Sequence, residues 1–583
     1  MEVASFALGT SGLIAVVEKA LQLMRGISEA KAFGSDLMGF AAELEFERYR
    51  FLLWAQLSGV FNHPTENITT PSTQLAATDD FSAQIGEWIK NAAARLVNEV
   101  EEVDRLVKKY QQPSGSNANV GPSSLPSIAT GLSTTLPMLG LKHNVRLSAK
   151  IDHHRNQGLE LQKNNPFRRR FVFGTKPWGE PDKKALKDKL DEIRHWNDRL
   201  ASLLPYAVRQ SLTQQALPGA LLHDANNELL GKLLKASNHQ STAVKLHAKL
   251  WKEKLGFQCD DKILLHESVV KQYRRPAAAI RSITSLTPSS GGLSLIEFQE
   301  GQDAPERMTV EWYSFGSTWS NADITLATNR VVSLVHLSSM KDKPDSLRLL
   351  EGVYFVEKSD SHGVIRKIPE NASRVRHPIS LYSLIKTPAS SFRAPSLESR
   401  LQLAQQLVAS MYSFSVVRWF HKDFNTHNVY FFRDNSTKSA IMFDAPYVSG
   451  LSIARPDDNQ QKSLNKELDA LSIYLHPDLR TVNPDERPKY HRKYEFYSLG
   501  LVLLEIGGWR SIDMLPGVNS SLDKLEFKRR VADRAKKDLP FFMGRRYTDV
   551  VLYCLGCADE GLDESTGELE TLYECVVLEL AKC

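Results

Sequence analysis

Cysteine is scarce in this sequence, and long apolar runs are missing. The five cysteines among 583 residues form an odd and scattered set, which disfavours a disulfide framework and favours a reducing compartment. The longest uncharged apolar stretch, residues 3–17, is shorter than the ~20 residues that a transmembrane helix needs. The sequence therefore predicts a cytoplasmic protein.

Charge of neither sign dominates the chain. Lys and Arg number 73 and Asp and Glu 68, so the net charge is only +5, which gives no reason to expect a nucleic-acid partner. Cys554 and Cys557 form a CxxC pair, but no second ligand pair at the spacing of a zinc site accompanies them. We expect this pair to lie on a buried helix.

The hydrophobic pattern divides the chain into regions. Helical spacing dominates the first 230 residues, interrupted by a Pro-, Ser-, Gly- and Asn-rich loop at 111–137, and strand-like runs begin near residue 293. Strands followed by helices indicate an α+β domain. We predict an all-α helical bundle at 1–215, a partly helical connector at 216–292, and an α+β domain with a small lobe at 293–378 and a large lobe at 379–583.

Three motifs in the last region occur in a fixed order. HKDFNTHN (421–428) follows an amphipathic helix predicted from Ser396 to Val417, and YLHPD (474–478) and EFYSLG (495–500) come after it. They resemble the catalytic loop H-R-D-L-x-x-x-N, the Y-x-A-P-E segment and the D-x-x-S-x-G segment of protein kinases. The resemblance implies a bilobal protein-kinase-like fold for residues 293–583.

The catalytic loop retains part of the kinase chemistry. Phosphoryl transfer needs a base at the acceptor hydroxyl, magnesium ligands and a lysine on the phosphates. The resemblance places Asp423 at the base position and Asn428 at one cofactor-binding and metal-ligand position. Asn425 stands where kinases carry a lysine two residues after the base.

Other phosphate-binding positions depart from the pattern. VSGLSIAR (448–455) matches the D-F-G segment and puts Gly450 at the position of the metal-binding Asp; Asp444 is the substitute candidate. MTVEWYSF matches the V-A-I-K strand with Tyr313 at the lysine position, and no G-x-G-x-x-G loop precedes it. The sequence predicts a pseudokinase that binds ATP and Mg²⁺ weakly, if at all. An active atypical Ser/Thr protein kinase that uses Asp423, Asn428 and Asp444 is the alternative.

The N-terminal region resembles a second family. KAFGSD (31–36), followed by Leu44, Arg48 and Trp54, and the later KPWG (176–179), with a helix capped by Asp182, have the order and spacing of the fungal HeLo domain, the HET-S/LopB prion-inhibition and propagation domain. The resemblance covers residues 4–215. It implies a helical bundle whose first helix can be released to permeabilise membranes in heterokaryon incompatibility, a programmed cell death.

The first apolar segment supplies the candidate membrane-directed residues. These are Phe6, Leu8, Leu13, Ile14, Val16 and Val17. The alternative is the buried first helix of a soluble bundle. We predict a fungal signalling or incompatibility-type cell-death protein whose HeLo-like domain is regulated by the pseudokinase. The predicted partners are a second copy or an upstream receptor through that domain, and an anionic membrane, which implies recruitment to the plasma membrane.

Overall fold

Amphipathic helices form the first of two units into which the chain divides. The computed structural model describes residues 10–28, 37–58, 79–111, 178–222, 234, 242–256, 267–284, 292–317, 319–390, 392–436, 440–456, 464, 470–480, 487–518, 523–556 and 573–583. The first unit contains α1 (Thr10–Ser28), α2 (Met38–Leu57), α3 (Asp79–Gln111), α4 (Glu180–Ala201) and α5 (Tyr206–Ser211), then a π-helical turn (Leu212–Ala216) and α6 (Leu217–Leu222). The described part of this region is helical, as the sequence predicts.

The apolar faces of these helices meet in one core. α1 packs against α2 and α3, and α4 packs against α2 and α3. The buried side chains recur three or four positions apart, as on one face of a helix. They include Val17, Ala20 and Met24 of α1, Phe51 and Trp54 of α2, Leu96 and Val100 of α3, and Leu190 and Ile193 of α4. The first unit is thus a helical domain, as predicted.

A buried polar network joins α2 to α4. The fully buried Glu47 carboxylate accepts hydrogen bonds from Arg50 at 2.8 Å, from Arg194 at 3.3 Å and from Asn197 at 2.8 Å. Arg50 also pairs with Asp198 at 2.5 Å. Buried ionic groups are tolerated only when they are paired, so this network fixes the register of the two helices.

The start of α4 differs from the prediction that Asp182 caps it. The helix begins at Glu180 with Gly179 as its N-cap, because the fixed φ of Pro181 suits the first helical turn. Asp182 lies inside that turn, where its carboxylate accepts hydrogen bonds from Tyr110 and Lys109 of α3. The ring of Tyr110 stacks on that of Trp178 with 3.9 Å between the ring centroids. The entry into α4 is thus held against the end of α3.

A mixed sheet dominates the first half of the second unit. Two helices, α7 (Thr242–Gly256) and α8 (Glu267–Tyr273), precede it. The strands are β1 (Arg274–Arg275), β2 (Ile280–Thr284), β3 (Leu293–Phe298), β4 (Glu306–Ser314), β5 (Gly352–Glu357) and β6 (Ser361–Arg366), in the order β1-β5-β6-β4-β3-β2. All neighbours are antiparallel except β1 and β5. Two strands, β1 and β2, lie in the segment that the sequence assigned to the connector.

One long helix covers part of the sheet. Helix α9 (Asn321–Ser339) follows β4 and packs against β5 and β6. Its start is fixed by a capping box, in which Ser320 accepts from the amide of Asp323 and the Asp323 carboxylate accepts from the amide of Ser320. A hydrophobic cluster of the sheet includes Ile296, Phe298, Met308, Val310, Val356 and Ile365.

Helices dominate the rest of the second unit. They are α10 (Leu381–Lys386), α11 (Leu397–Val416), α12 (Arg492–Gly508), α13 (Lys524–Gly556) and α14 (Glu579–Ala581). Short strands between them are β7 (Ile379–Ser380), β8 (Trp419–Phe420), β9 (Val429–Phe431), β10 (Tyr447–Val448) and β11 (Arg455–Pro456). Helix α12 is buried along almost its whole length and packs against α11 and α13. Cys554 on α13 is buried, as predicted, and Cys557 lies outside the described residues.

Candidate functional site

The segment at 421–428 lies between β8 and β9 and is fixed by its own first residue. His421 is fully buried, and its Nε2 donates to the backbone carbonyl of Ser449 at 2.8 Å. Its Nδ1 accepts from the backbone amide of Asp423 at 3.2 Å. Both ring nitrogens are therefore used, which fixes the tautomer and ties the segment to the strand β10.

Helix α12 anchors the same segment through Glu495. The Glu495 carboxylate accepts from the backbone amides of His421 at 3.2 Å and Lys422 at 2.8 Å, and from the hydroxyl of Tyr490 at 2.5 Å. Burial raises the pKa of Glu495, while these donors oppose the rise. Two backbone amides on one carboxylate hold Lys422 in its left-handed conformation, with φ of +69°.

The Lys422 side chain is buried away from the solvent. Its ammonium donates to the backbone carbonyl of Leu464 at 2.6 Å. Burial lowers the pKa of Lys422 far below its usual value, and the neighbouring Arg455 and Arg330 lower it further. A cation in this environment is a structural contact rather than a solvent-facing binding group.

Two asparagines fix the conformation around Asp423. Asn425 donates to the backbone carbonyl and to the carboxylate of Asp423, both at 3.0 Å. Its side-chain oxygen accepts from the amides of His427 and Asn428, at 2.9 and 3.2 Å. Asn428 donates to the carbonyl of Asp423 at 2.8 Å. Asp423 itself is partly exposed.

A buried charged cluster faces this loop from the sheet. Glu311 and Tyr313 lie two positions apart on β4, so both point to one face, and Arg366 comes from the adjacent β6. Tyr313 donates to Glu311 at 2.9 Å, and Arg366 donates to Tyr313 at 3.0 Å and to Glu311 at 3.4 Å. All three side chains are buried.

The environment of this cluster sets its protonation. Burial raises the pKa of Tyr313 above its usual value, and the Glu311 charge adds to the rise, so the phenol is neutral. Burial lowers the pKa of Arg366, but its interactions with Tyr313 and Glu311 more than offset this, and its pKa is raised. Arg366 and Glu311 therefore form a buried ion pair bridged by a phenol.

Glu311 also connects the sheet to the loop at 449–450. Its second carboxylate oxygen accepts from the backbone amide of Gly450 at 2.5 Å. Gly450 has φ of +80°, and a Cβ atom there would lie 2.1 Å from Asn428 Nδ2. The position therefore excludes any side chain, because both the backbone conformation and the space require glycine.

The structure brings most predicted site residues together. Asn425 and Asn428 contact Asp423, Gly450 adjoins Asn428, and Tyr313 reaches Gly450 through Glu311. Asp444 instead lies on an exposed turn, where its backbone carbonyl accepts from Gln406 at 3.0 Å. No group of three or more His, Cys, Asp or Glu side chains in the described ranges could hold a metal ion.

Sequence reasoning missed Glu311 and Arg366. A signal for both was present, since each is a charged residue inside an otherwise apolar strand, in MTVEWYSF and HGVIRKI. Buried strand positions rarely carry charge unless it is paired. Sequence spacing does not show that Arg366 is the partner of Glu311, because the two strands are separated by α9 and β5.

Two family models match the chain. Residues 5–228 match the HeLo family, described as prion-inhibition and propagation. The chain carries a HeLo domain. Residues 341–579 match a family described as a domain of unknown function, DUF7580, so the kinase resemblance of this part remains a prediction. A comparison with curated proteins gives no match.

The residues that the sequence predicts to be membrane-directed fall on or before α1. Phe6 and Leu8 lie outside the described residues. Leu13, Ile14 and Val16 are half-buried, and Val17 is fully buried in the helical core. In the part of the chain that the structure describes, no helix is both long and apolar enough to cross a bilayer. The HeLo domain thus holds part of this apolar segment against its own core.

Proposed function

We propose that this chain is a fungal incompatibility-type cell-death protein with two functional parts. The HeLo domain is the membrane-directed effector, and the C-terminal domain is a kinase-like regulatory module that does not transfer phosphate. The match of residues 5–228 to the HeLo family supports the class of process. The geometry around Asp423 and Glu311 supports the loss of phosphoryl transfer.

The positions of the structural elements support the kinase-like assignment. β4 is the third of three consecutive antiparallel strands and is followed directly by α9, as the lysine-bearing strand of kinases is followed by helix αC. The loop at 421–428 lies between short strands after the long helix α11. This order of strands, helix and loop supports the kinase-like assignment.

The hydrogen bond between Glu311 and Gly450 is the observation that carries the proposal. A kinase needs a lysine on the phosphates and an aspartate on the metal at these places. Here a neutral tyrosine, Tyr313, stands at the lysine position, and the neighbouring Glu311 carboxylate is paired with Arg366 and bonded to Gly450, which has no ligand to offer. Neither the lysine nor the aspartate of the kinase pattern is present at these positions. Asn425 adds no compensating charge, since its side chain is used within the loop.

An active atypical Ser/Thr kinase is the second candidate. Asp423 is partly exposed and Asn428 is directly beside it, which are two of the groups that such chemistry requires. In that case Asp444 would hold the magnesium ion. Its place on an exposed turn favours the pseudokinase over this alternative.

Nucleotide binding by the full chain separates the two candidates. We expect ATP, with or without Mg²⁺, to leave the midpoint of thermal unfolding unchanged. Asp423→Asn and Asp444→Asn serve as matched variants that remove the two carboxylates without changing their size. A magnesium-dependent stabilisation by ATP that both variants abolish would count against the pseudokinase and favour the active kinase.

Leakage of dye from anionic vesicles tests the effector role. Residues 1–230 are expected to cause leakage, and Leu13→Glu is expected to reduce it, because a carboxylate on the half-buried face opposes transfer into lipid. Gln22→Glu adds the same charge at an exposed position of α1 and should retain leakage. Folding of each protein is checked by circular dichroism. Absence of leakage by the folded, unsubstituted domain would reject the effector role.

A further inference from the structure

The C-terminal domain carries two adjacent phenylalanines on its surface. Phe541 is 87% exposed, more than any other large apolar side chain in the described ranges, and Phe542 is 42% exposed. Their ring centroids are 5.3 Å apart in an edge-to-face arrangement. An apolar pair with this exposure indicates a contact surface rather than a scattered surface residue.

Local backbone structure explains how the pair is presented. Pro540 precedes it on α13, and Gly544 follows with non-helical φ and ψ of 81° and 172°, so the pair lies beside a kink in this helix. On the opposite side, Leu539 and Tyr547 are fully buried, and Tyr547 donates to the backbone carbonyl of Leu503 on α12 at 2.7 Å. The phenylalanines are therefore exposed on a well-anchored segment.

Positive charge surrounds the pair. Residues 528–546 contain eight Lys and Arg and two Asp, a net charge of +6, which exceeds the +5 of the whole chain. Both aspartates are held by arginines, Asp533 by Arg529 at 3.0 Å and Asp538 by Arg534 at 2.6 Å. Four exposed cations lie closest to the pair in sequence, Lys536, Lys537, Arg545 and Arg546.

In the described ranges, few acidic side chains lie near these cations. Lys537 is one helical turn before Phe541, so the two side chains lie on the same side of α13. For Lys536, Lys537 and Arg545, no described acidic side chain lies within ion-pair distance. Arg546 has only a longer contact, at 3.4 Å, to Glu579.

We propose that Phe541, Phe542 and the exposed cations around them form a binding site for an anionic membrane surface. Aromatic rings insert at the level of the lipid headgroups, and Lys and Arg beside them interact with anionic lipid. Lysine is depleted at protein interfaces, so Lys536 and Lys537 favour a lipid surface over an acidic protein. The site belongs to the C-terminal domain and does not depend on membrane insertion by the HeLo domain.

Vesicle sedimentation with the full chain tests this site. The chain should bind vesicles of phosphatidylcholine with phosphatidylserine more tightly than vesicles of phosphatidylcholine alone. Phe541→Ser should weaken binding roughly tenfold, the loss expected for one apolar ring. Lys536→Gln with Lys537→Gln should weaken it only on the anionic vesicles. The control Leu525→Ser changes a 73% exposed residue in the first turn of the same helix and should bind as the unsubstituted chain does.

Hydrogen exchange measures binding at Phe541 and Phe542 separately from binding through the HeLo domain. Anionic vesicles should slow exchange of the backbone amides around Phe541 and Phe542 in the full chain. Unchanged exchange there, together with unchanged binding by Phe541→Ser, would overturn the proposal. Binding to polyglutamate but not to vesicles, with the same dependence on Phe541, would overturn it as well, because the site would then serve an acidic protein.

Discussion

The Glu311 carboxylate lies 2.5 Å from the backbone nitrogen of Gly450, although 139 positions separate them in the sequence. This bond joins the mixed sheet to the loop that adjoins Asn428. Its carboxylate is held in place by Arg366 and Tyr313, which are both buried. A contact within the protein therefore joins the sheet to the residue at the predicted metal-ligand position, Gly450.

Removing the charge of Glu311 tests the buried ion pair. Glu311→Gln keeps the size of the side chain but leaves Arg366 without its counter-ion, so the free energy of unfolding should fall by about 3 kcal/mol. The double variant with Arg366→Met should recover part of this loss, since no unpaired charge remains. Chemical denaturation measures both.

The matched control for this pair lies on the same sheet. Glu297 pairs with Arg307 at 3.5 Å, and both side chains are about 40% exposed. Glu297→Gln should change the unfolding free energy by less than about 0.5 kcal/mol, because exposed ion pairs contribute little. Equal effects of Glu311→Gln and Glu297→Gln would contradict a special role for the buried cluster.

Restoring an aspartate at position 450 should not restore metal binding. In Gly450→Asp the new Cβ would meet Asn428 at 2.1 Å, and φ of +80° is unfavourable for any residue other than glycine. We expect a lower midpoint of thermal unfolding and no stabilisation by ATP with Mg²⁺. Gly508→Ala is the control, because a Cβ there meets nothing within 4 Å and alanine favours the helix. A stable Gly450→Asp variant that binds Mg²⁺ would contradict this geometry.

In the helical domain, Glu47 is expected to dominate the contact between α2 and α4. Glu47→Ala removes the shared acceptor of Arg50, Arg194 and Asn197 and should cost about 3 kcal/mol. The readout is faster hydrogen exchange of the amides in α2 and α4. Glu102→Ala removes an exposed pair with Arg105 on α3 and should leave exchange unchanged. Similar exchange in both variants would count against the network.

Glu505 should make stability depend on pH. Its carboxylate accepts from Thr426, Tyr474 and the amide of Ile512, and burial raises its pKa from 4.5 to about 7. A raised pKa in the folded state favours the protonated form. The contribution of Glu505 to the free energy of unfolding is fully present below about pH 4.5. It is lost as the pH rises through about 7, a change on the order of 3 kcal/mol.

Substitution of Glu505 isolates this dependence. Glu505→Gln should flatten the pH profile of the unfolding free energy between about pH 4.5 and 7, because the amide does not titrate. It should also be more stable than the unsubstituted chain above pH 7. Glu398→Gln, at an exposed position of α11, should leave the profile as it was. A profile that keeps its slope in Glu505→Gln would assign the effect to another group.

Local sequence patterns predicted secondary structure better than they predicted contacts between residues far apart in the sequence. Helical spacing predicted the helical character of the first region, and the motif at 421–428 placed Asp423, Asn425 and Asn428 together, because both depend on residues close in sequence. The pairing of Glu311 with Arg366 depends on which strands become adjacent, and sequence spacing does not contain this. The sequence likewise indicated a missing ligand at Gly450, but only the structure shows that Asn428 occupies the space.

The stack of Tyr110 on Trp178 has a consequence for how the chain tolerates changes in length. The two rings lie 3.9 Å apart, so the end of α3 and the start of α4 are held together. The entropy of closing a flexible loop grows only with the logarithm of its length, about 0.6 kcal/mol for each doubling. Insertion of a reporter domain into the loop predicted at 111–137 should therefore cost the helical domain little stability, provided that the stacked pair is kept.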